Sequence, residues 1–256
     1  MPFVIDDSNY EYHVKNPGGP CGTVPRKTAY GASPVAAQVP LDVIPYEAWP
    51  DLIADQERHK SSLLHIWEDS GMGALMQYSL NYCWLFASVG GLMLQRASQG
   101  LPFEMLSPSS LAWIVNYENK GWYIEEALKG LISTGASTRE FVPMATNNPR
   151  DFKPGWKESA AQHKVTIAKD IPANHQVQGS QLLLNRPMPT GHNDWRHAVL
   201  HLAVKDINPR LPCDNINRYS VPFLNSWDKT WGDNGIGEFR GSRQVADQAY
   251  VLEQGT

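Results

Sequence analysis

The sequence predicts an α+β protein of two lobes, because helical patterning fills the first half of the chain, strand patterning fills the second, and the two scarcely intermix. Its 256 residues, 42% apolar and 19% charged, suffice for one large domain with a sizeable core. The expected division is an extended arm over residues 1–40, then a domain over 41–256 that is mainly helical to about residue 163 and mainly β from about 164.

The arm is read from composition. Residues 1–40 hold six of the 19 prolines and four of the 20 glycines, with no 3.6-residue apolar period, so they are expected to run extended with turns. An arm of this kind becomes ordered only by lying on its own domain or on a neighbour, which makes neighbouring subunits candidate partners of residues 1–40.

From about Val43 the segment IPYEAWPDLIADQERHKSSLLHIWEDSG is charged, poor in glycine and expected to be helical. YCWLFASVGGLMLQRASQG is the central helix: Trp84, Ala87, Leu92 and Leu94 supply buried bulk, and Gly100 is a natural stop. Ser107 can cap a further helical stretch with Pro108 at its first position. Another helix, Ile124 to Ser133, ends at Gly135. Beyond Lys164 come strands: HKVTIAKDI, RPMPTG, RHAVLHLAVKDI, RYSVPFLNSW and GIGEFRG, punctuated by Pro, Gly and Asn. In the central one, Ala198, Leu200, Leu202 and Val204 face one way, and His197, Val199, His201 and Ala203 the other.

Several function classes are disfavoured. A formal charge of −4 with both signs scattered lacks the basic clustering that phosphate binding needs, so no nucleic-acid partner is expected. No apolar run approaches the roughly 18 residues of a membrane span, and the opening MPFVIDDSNY does not read as a secretion signal. Cys21, Cys83 and Cys213 are too widely spaced for a disulfide framework, so a reducing, cytoplasmic setting or assembly into a particle is expected. Neither cofactor nor metal is expected. His197 and His201 lie on a strand without a third ligand nearby, and GDNGIGEFRG follows no strand–helix phosphate pattern. Glu125 and Glu126, adjacent on a helix, read as a solvated face. Cys21 and Cys213 have no base nearby in sequence and read as bystanders.

Cys83 stands out because it falls where a polar loop gives way to the central helix, and a helix start favours thiolate over thiol. A cysteine nucleophile needs a base, and the base needs a third group to hold its ring and tautomer. His197 is the candidate base. Asn225, at the end of a strand, can accept from an imidazole N–H without adding charge, and Trp227 can keep water off that bond. Gln77, six residues before the thiol, offers an NH₂ for an oxyanion.

These pieces resemble the papain family of cysteine peptidases: Gln77 six residues before Cys83, Cys83-Trp84 opening a helix, a helix start at Leu106-Ser107, His197-Ala198-Val199 on a strand, and Asn225-Ser226-Trp227 followed by Trp231-Gly232 and Asn234-Gly235. IPYEAW also looks like the mature start of the family. The likeness covers roughly residues 43–245. It implies a papain-like two-lobed fold, with a helical left lobe, an antiparallel β-barrel-like right lobe and a peptide-binding cleft between them. By the same resemblance Cys83 is the nucleophile, His197 the acid/base, Asn225 its orienter and Gln77 the oxyanion donor, with Tyr82, Trp84, Trp227 and Arg196 lining the cleft.

Departures are plain. Leu80 stands where secreted members place a disulfide cysteine, and the Pro/Gly-rich arm replaces the helical prosegment. Tyr82 is expected to narrow the groove. Arg196 precedes the histidine, and Asp228 replaces a usual glycine and can offset Arg196 if the two meet. The functional expectation is a thiol peptidase acting on peptides or proteins. The alternative is a papain-like fold serving as a structural subunit of a larger assembly, such as a virus particle, with little or no turnover.

Overall fold

The computed structural model describes residues 3–26, 30, 31, 36, 37 and 40–253. The arm contributes strand β1 (Phe3–Ile5), a short helix α1 (Tyr10–Lys15) and strand β2 (Ala36–Ala37). Helix α1 departs from the extended course expected of residues 1–40. It is one and a half turns of YEYHVK, set down by Tyr10, which is buried, and by the Asn9 side chain, which accepts from Asp6 N–H and donates to the Val4 carbonyl.

The helical lobe follows. Helix α2 (Trp49–His59) starts with Pro50 in its first turn and ends at Lys60, left-handed at φ 51°. Helix α3 (Leu63–Ser70) stops at Gly71, φ 72°. Helix α4 (Cys83–Ser98) is buried from Cys83 to Gln95, as befits a helix apolar on every side, and Gly100 follows it at φ 72°. Its Gly90-Gly91 pair lies where the helix crosses the sheet. A Cβ at Gly91 would stand 3.2 Å from Leu252 and 3.3 Å from Pro189, and one at Gly90 3.4 Å from Leu200. Pro108–Val115 is a 3-10 helix rather than an α-helix, and Ser107 does not cap it, because its hydroxyl donates instead to the Pro143 carbonyl. Helix α5 (Ile124–Ser133) ends as expected, with Gly135 at φ 84°. Helix α6 spans Trp156–Ala161.

The β lobe comprises β3 (Ile167–Ile171), helix α7 (His175–Leu183), β4 (Met188–His192), β5 (His197–His201), β6 (Lys205–Asp206), β7 (Tyr219–Leu224), β8 (Ile236–Arg240) and β9 (Gln248–Glu253). The strands form one sheet in the order β1-β8-β7-β5-β4-β9-β3-β2, with β6 paired to β7. β1 runs parallel to β8 and β2 parallel to β3; the other pairs are antiparallel. Both outer strands therefore come from the arm. The alternation is realised within β5 and fails beyond it. Ala198 and Leu200, with Leu202 just past the strand, pack into the main core with α4, whereas Val199 joins Ile5, Tyr10, Trp195, Phe223 and Phe239 on the opposite face. Ala203 turns into the main core and Val204 into a separate cluster, against their expected faces, because the strand has ended at His201.

A third cluster ties the lobes together around Trp49, which is fully buried among Tyr46, His175 and Tyr219 at ring separations of 4.8, 5.2 and 5.0 Å. Gly179 of α7 lies directly against that indole: a Cβ there would fall 2.1 Å from Trp49 Cη2. Boxed on three sides, the ring cannot retreat. Gly179→Ala should therefore destabilise the protein by about 1–3 kcal/mol through overpacking, read as a lower urea midpoint at unchanged m-value. An unaltered midpoint would show that α7 can slide away from the indole.

Candidate functional site

Cys83 is the first residue of α4 and its side chain is buried completely. Its sulfur receives the Gly22 N–H at 3.2 Å and lies 3.4 Å from Thr23 Oγ1. Burial pushes the thiol pKa up, against the opposing effect of donors from Thr23, the Ala198 N–H, the Gly22 N–H and the Trp84 N–H. The Ala198 contact places the sulfur beside the first two residues of β5, one of which is His197.

His197 Nε2 lies 2.7 Å from Asn225 Oδ1. That oxygen also accepts the Ser226 N–H at 2.7 Å, so it acts as an acceptor and Nε2 must carry the proton. This tautomer leaves Nδ1 as the basic atom, and Nδ1 has no hydrogen-bond partner among the described residues. The ring is clamped by stacking on Trp227 at 4.4 Å and by the edge contact of Trp195 at 4.8 Å. Burial lowers the His197 pKa to about 4, with the Asn225 bond pulling the other way. In this closed arrangement the pair is a neutral thiol and a neutral imidazole.

Gln77 is held by both lobes. Its backbone N–H donates to the Ser226 carbonyl at 2.8 Å, its Oε1 accepts from Ser226 Oγ, and Met76 forms an antiparallel bridge with Trp227. With Oε1 engaged, the NH₂ faces the cleft, where it donates to the Pro20 carbonyl at 3.1 Å and to the Leu80 carbonyl at 2.5 Å. Trp227 Nε1 donates to the same Pro20 carbonyl at 3.0 Å.

The arm thus crosses the site. Gly18 and Gly19 lie on the Trp227 face, Pro20 offers its carbonyl to Gln77 and Trp227, and Gly22 and Thr23 cover the sulfur. Thr23 N–H then donates to the Arg196 carbonyl at 2.9 Å and Val24 N–H to the Trp122 carbonyl at 3.1 Å, with Thr23 and Trp122 bridged in parallel. The Thr23 methyl rests against Gly191, in a niche shared with Ile124 and Gln248.

Of the expected site residues, His197 is joined to Asn225, Gln77 and Trp227 meet the Pro20 carbonyl, Cys83 meets Gly22 and Thr23, and the Arg196 carbonyl meets Thr23; Cys83 Sγ makes no hydrogen bond with His197 Nδ1. Tyr82 and Trp84 do not line the cleft. Both are fully buried in the helical lobe, where Tyr82 OH donates to the Glu118 carbonyl and its ring meets the Trp84 ring edge-on, so Tyr82 does not narrow the groove. Arg196 does not meet Asp228, whose carboxylate turns onto Thr230 N–H and Oγ1 at 2.5 and 2.6 Å. Glu125 is buried rather than solvated and accepts from Tyr250 OH at 3.2 Å. Cys21 lies between Pro20 and Gly22, its thiol 3.7 Å from the Gly19 carbonyl. Cys213 receives Arg218 Nη1 at 3.3 Å, away from the site. Sequence reasoning missed the arm's presence in the cleft, because its glycines read equally well as turn residues.

No family model matches the sequence, and no curated protein matches it. Solved structures do. Xylellain, a cysteine protease from Xylella fastidiosa, superimposes with a TM-score of 0.62 at 16% identity, covering 93% of this chain and 97% of that one. Digestive procathepsin L 3 from the larval midgut of Tenebrio molitor gives 0.62 at 15% identity over 96% of this chain and 78% of that one. A cysteine protease of Carica candamarcensis, solved in complex with E-64, gives 0.53 at 15% identity over 74% and 97%. At such identities the likeness is one of architecture, and on that ground the chain has the fold of the papain-like cysteine proteases.

Proposed function

We propose that the protein is a thiol peptidase working through Cys83, His197, Asn225 and Gln77. One observation carries this reading: a peptide backbone already lies across the cleft, with a carbonyl on Gln77 Nε2 and, two residues on, an amide N–H on Cys83 Sγ. A substrate carbonyl in the position of the Pro20 oxygen would meet the same donor. Cys83 Sγ attacks the carbonyl carbon while its proton passes to His197 Nδ1, and the oxyanion accepts from Gln77 Nε2. Collapse breaks the C–N bond, with the amine leaving as it takes the proton from Nδ1. Water then adds to the thioester, giving its proton to Nδ1, and Cys83 departs as thiol. Asn225 holds the tautomer that keeps Nδ1 available throughout.

The contacts of the arm's described residues are with its own domain, and they give the alternative role, as a subunit of a larger assembly, no observation in its favour. Denatured casein should be cleaved at a rate that falls about 10³-fold or more in Cys83→Ser and His197→Ala. Cleavage that survives both substitutions would sink the assignment.

A further inference from the structure

A second pocket, of about 240 Å³, lies on the seam between the lobes, and none of its lining residues belongs to the candidate site. Helix α3 of the helical lobe roofs it with Leu64 and Trp67, which stand three residues apart and so share a helix face. Its floor is one face of β6, β7 and β8. The register sets Lys205 opposite Ser220, and Pro222, two residues further along β7, opposite Glu238. Residues opposite each other, or two apart on one strand, point to the same face of a sheet. Lys205 and Glu238 therefore rise from one face, with the Pro222 ring in the floor between them.

Both of these charged groups have unused capacity. Glu238 is only 4% exposed, and its Oε1 takes both Arg240 donors, Nε at 2.7 Å and Nη2 at 2.6 Å. Its Oε2 accepts from no donor among the described residues. Lys205 makes neither a hydrogen bond nor an ion pair among them. Two strands across and two residues along, their Cα atoms stand roughly 12 Å apart, too far for the two heads to close on each other without leaving the pocket empty between them. A buried carboxylate oxygen gains most from a donor that reaches it inside the protein.

We propose that this pocket binds a small amino acid as its zwitterion, with the ammonium on Glu238, the carboxylate on Lys205 and an apolar side chain against Leu64, Trp67 and Ile236. The charge on the walls selects for both poles. Glu68 and Asp233 add two carboxylates at the rim, so a simple anion meets three negative groups and one positive, while a simple cation leaves Lys205 unmatched. The inference goes beyond the peptidase reading and does not depend on it, although amino acids are a class of product that peptide cleavage releases. A bound ligand would touch α3 and the β6–β8 face together. It would also stand beside the turn whose Gly235 carbonyl accepts the Asn225 N–H at 2.8 Å. Binding to this seam and not to the unfolded chain stabilises the fold by mass action.

Calorimetric titration of the full chain with L-leucine should show saturable binding at one site. L-Leucinamide keeps the ammonium without the carboxylate, and N-acetyl-L-leucine keeps the carboxylate without the ammonium. Each should bind at least about 10-fold more weakly, because each forfeits one charged contact. Lys205→Met and Glu238→Gln should weaken L-leucine by a similar factor, and L-leucine should raise the Tm of the unaltered chain but not of Lys205→Met. Lys205 is half-buried and bonded to nothing, so its variant keeps the test decisive even if Glu238→Gln folds poorly. Absence of L-leucine binding would overturn the proposal, as would equal affinity for the three compounds or an affinity unchanged by Lys205→Met. The titration reads binding and not cleavage, so an inert Cys83 would remove the peptidase reading and leave this one standing.

Discussion

Lowering the pH from 6.5 towards 4 should strip several kcal/mol from the stability of the folded chain. Burial holds His175 and His197 at pKa values of about 4 and His192 at about 3, whereas the same side chains titrate near 6.5 in an unfolded chain. Within that window the unfolded state binds more protons, so stability rises with pH; it is complete above about 6.5 and is lost as pH falls through the folded values. One histidine shifted this far contributes roughly 3 kcal/mol, as an order of magnitude. The contributions do not simply add, because His192 lowers the pKa of His201, with their Nε2 atoms 3.4 Å apart, and is itself lowered by His197. Urea midpoints measured between pH 7.5 and 4.5 should fall steeply below pH 6.5. A midpoint flat from pH 7 to 5 would mean that these rings are hydrated in solution.

Arg26→Ala should cost about 3–5 kcal/mol. The Asp170 carboxylate is almost wholly buried in β3, bonded to Arg26 Nη1 at 2.6 Å and to the Gly31 N–H at 2.8 Å. Removing the guanidinium leaves a buried charge without its counterion, and that uncompensated charge is what makes breaking such a pair expensive. Arg26→Ala combined with Asp170→Ala should recover much of the loss, since the stranded charge goes too, and a double-mutant cycle by urea unfolding measures the difference. Identical losses in the single and double variants would show that the ion pair is not the reason.

The parts that were legible in the sequence are those whose signal is local. Helix α4 announces itself by unbroken apolar texture ending at Gly100, and α5 by its period and Gly135. β5 alternates cleanly because its two faces serve different clusters. Strand β9 escaped because Gln248–Leu252 are all buried and so do not alternate, and α7 because Gly179 interrupts a helix with little polarity contrast. The candidate site followed the same rule. Cys83, His197, Asn225 and Gln77 are marked by their immediate neighbours, whereas the arm segment around Pro20 and Gly22 is defined by what it touches more than 50 residues away. Glycine at position 22 looks like ordinary loop punctuation until the Asn81 carbonyl is known to lie against it.

The arm covers both rims of the sheet, β1 on β8 and β2 on β3. A strand rim stripped of its cover presents a row of unpaired N–H and C=O groups that can pair with another molecule. Deleting residues 1–40 would bare two such rims at once and invite end-to-end association or precipitation, a colloidal outcome unrelated to whether the thiol works.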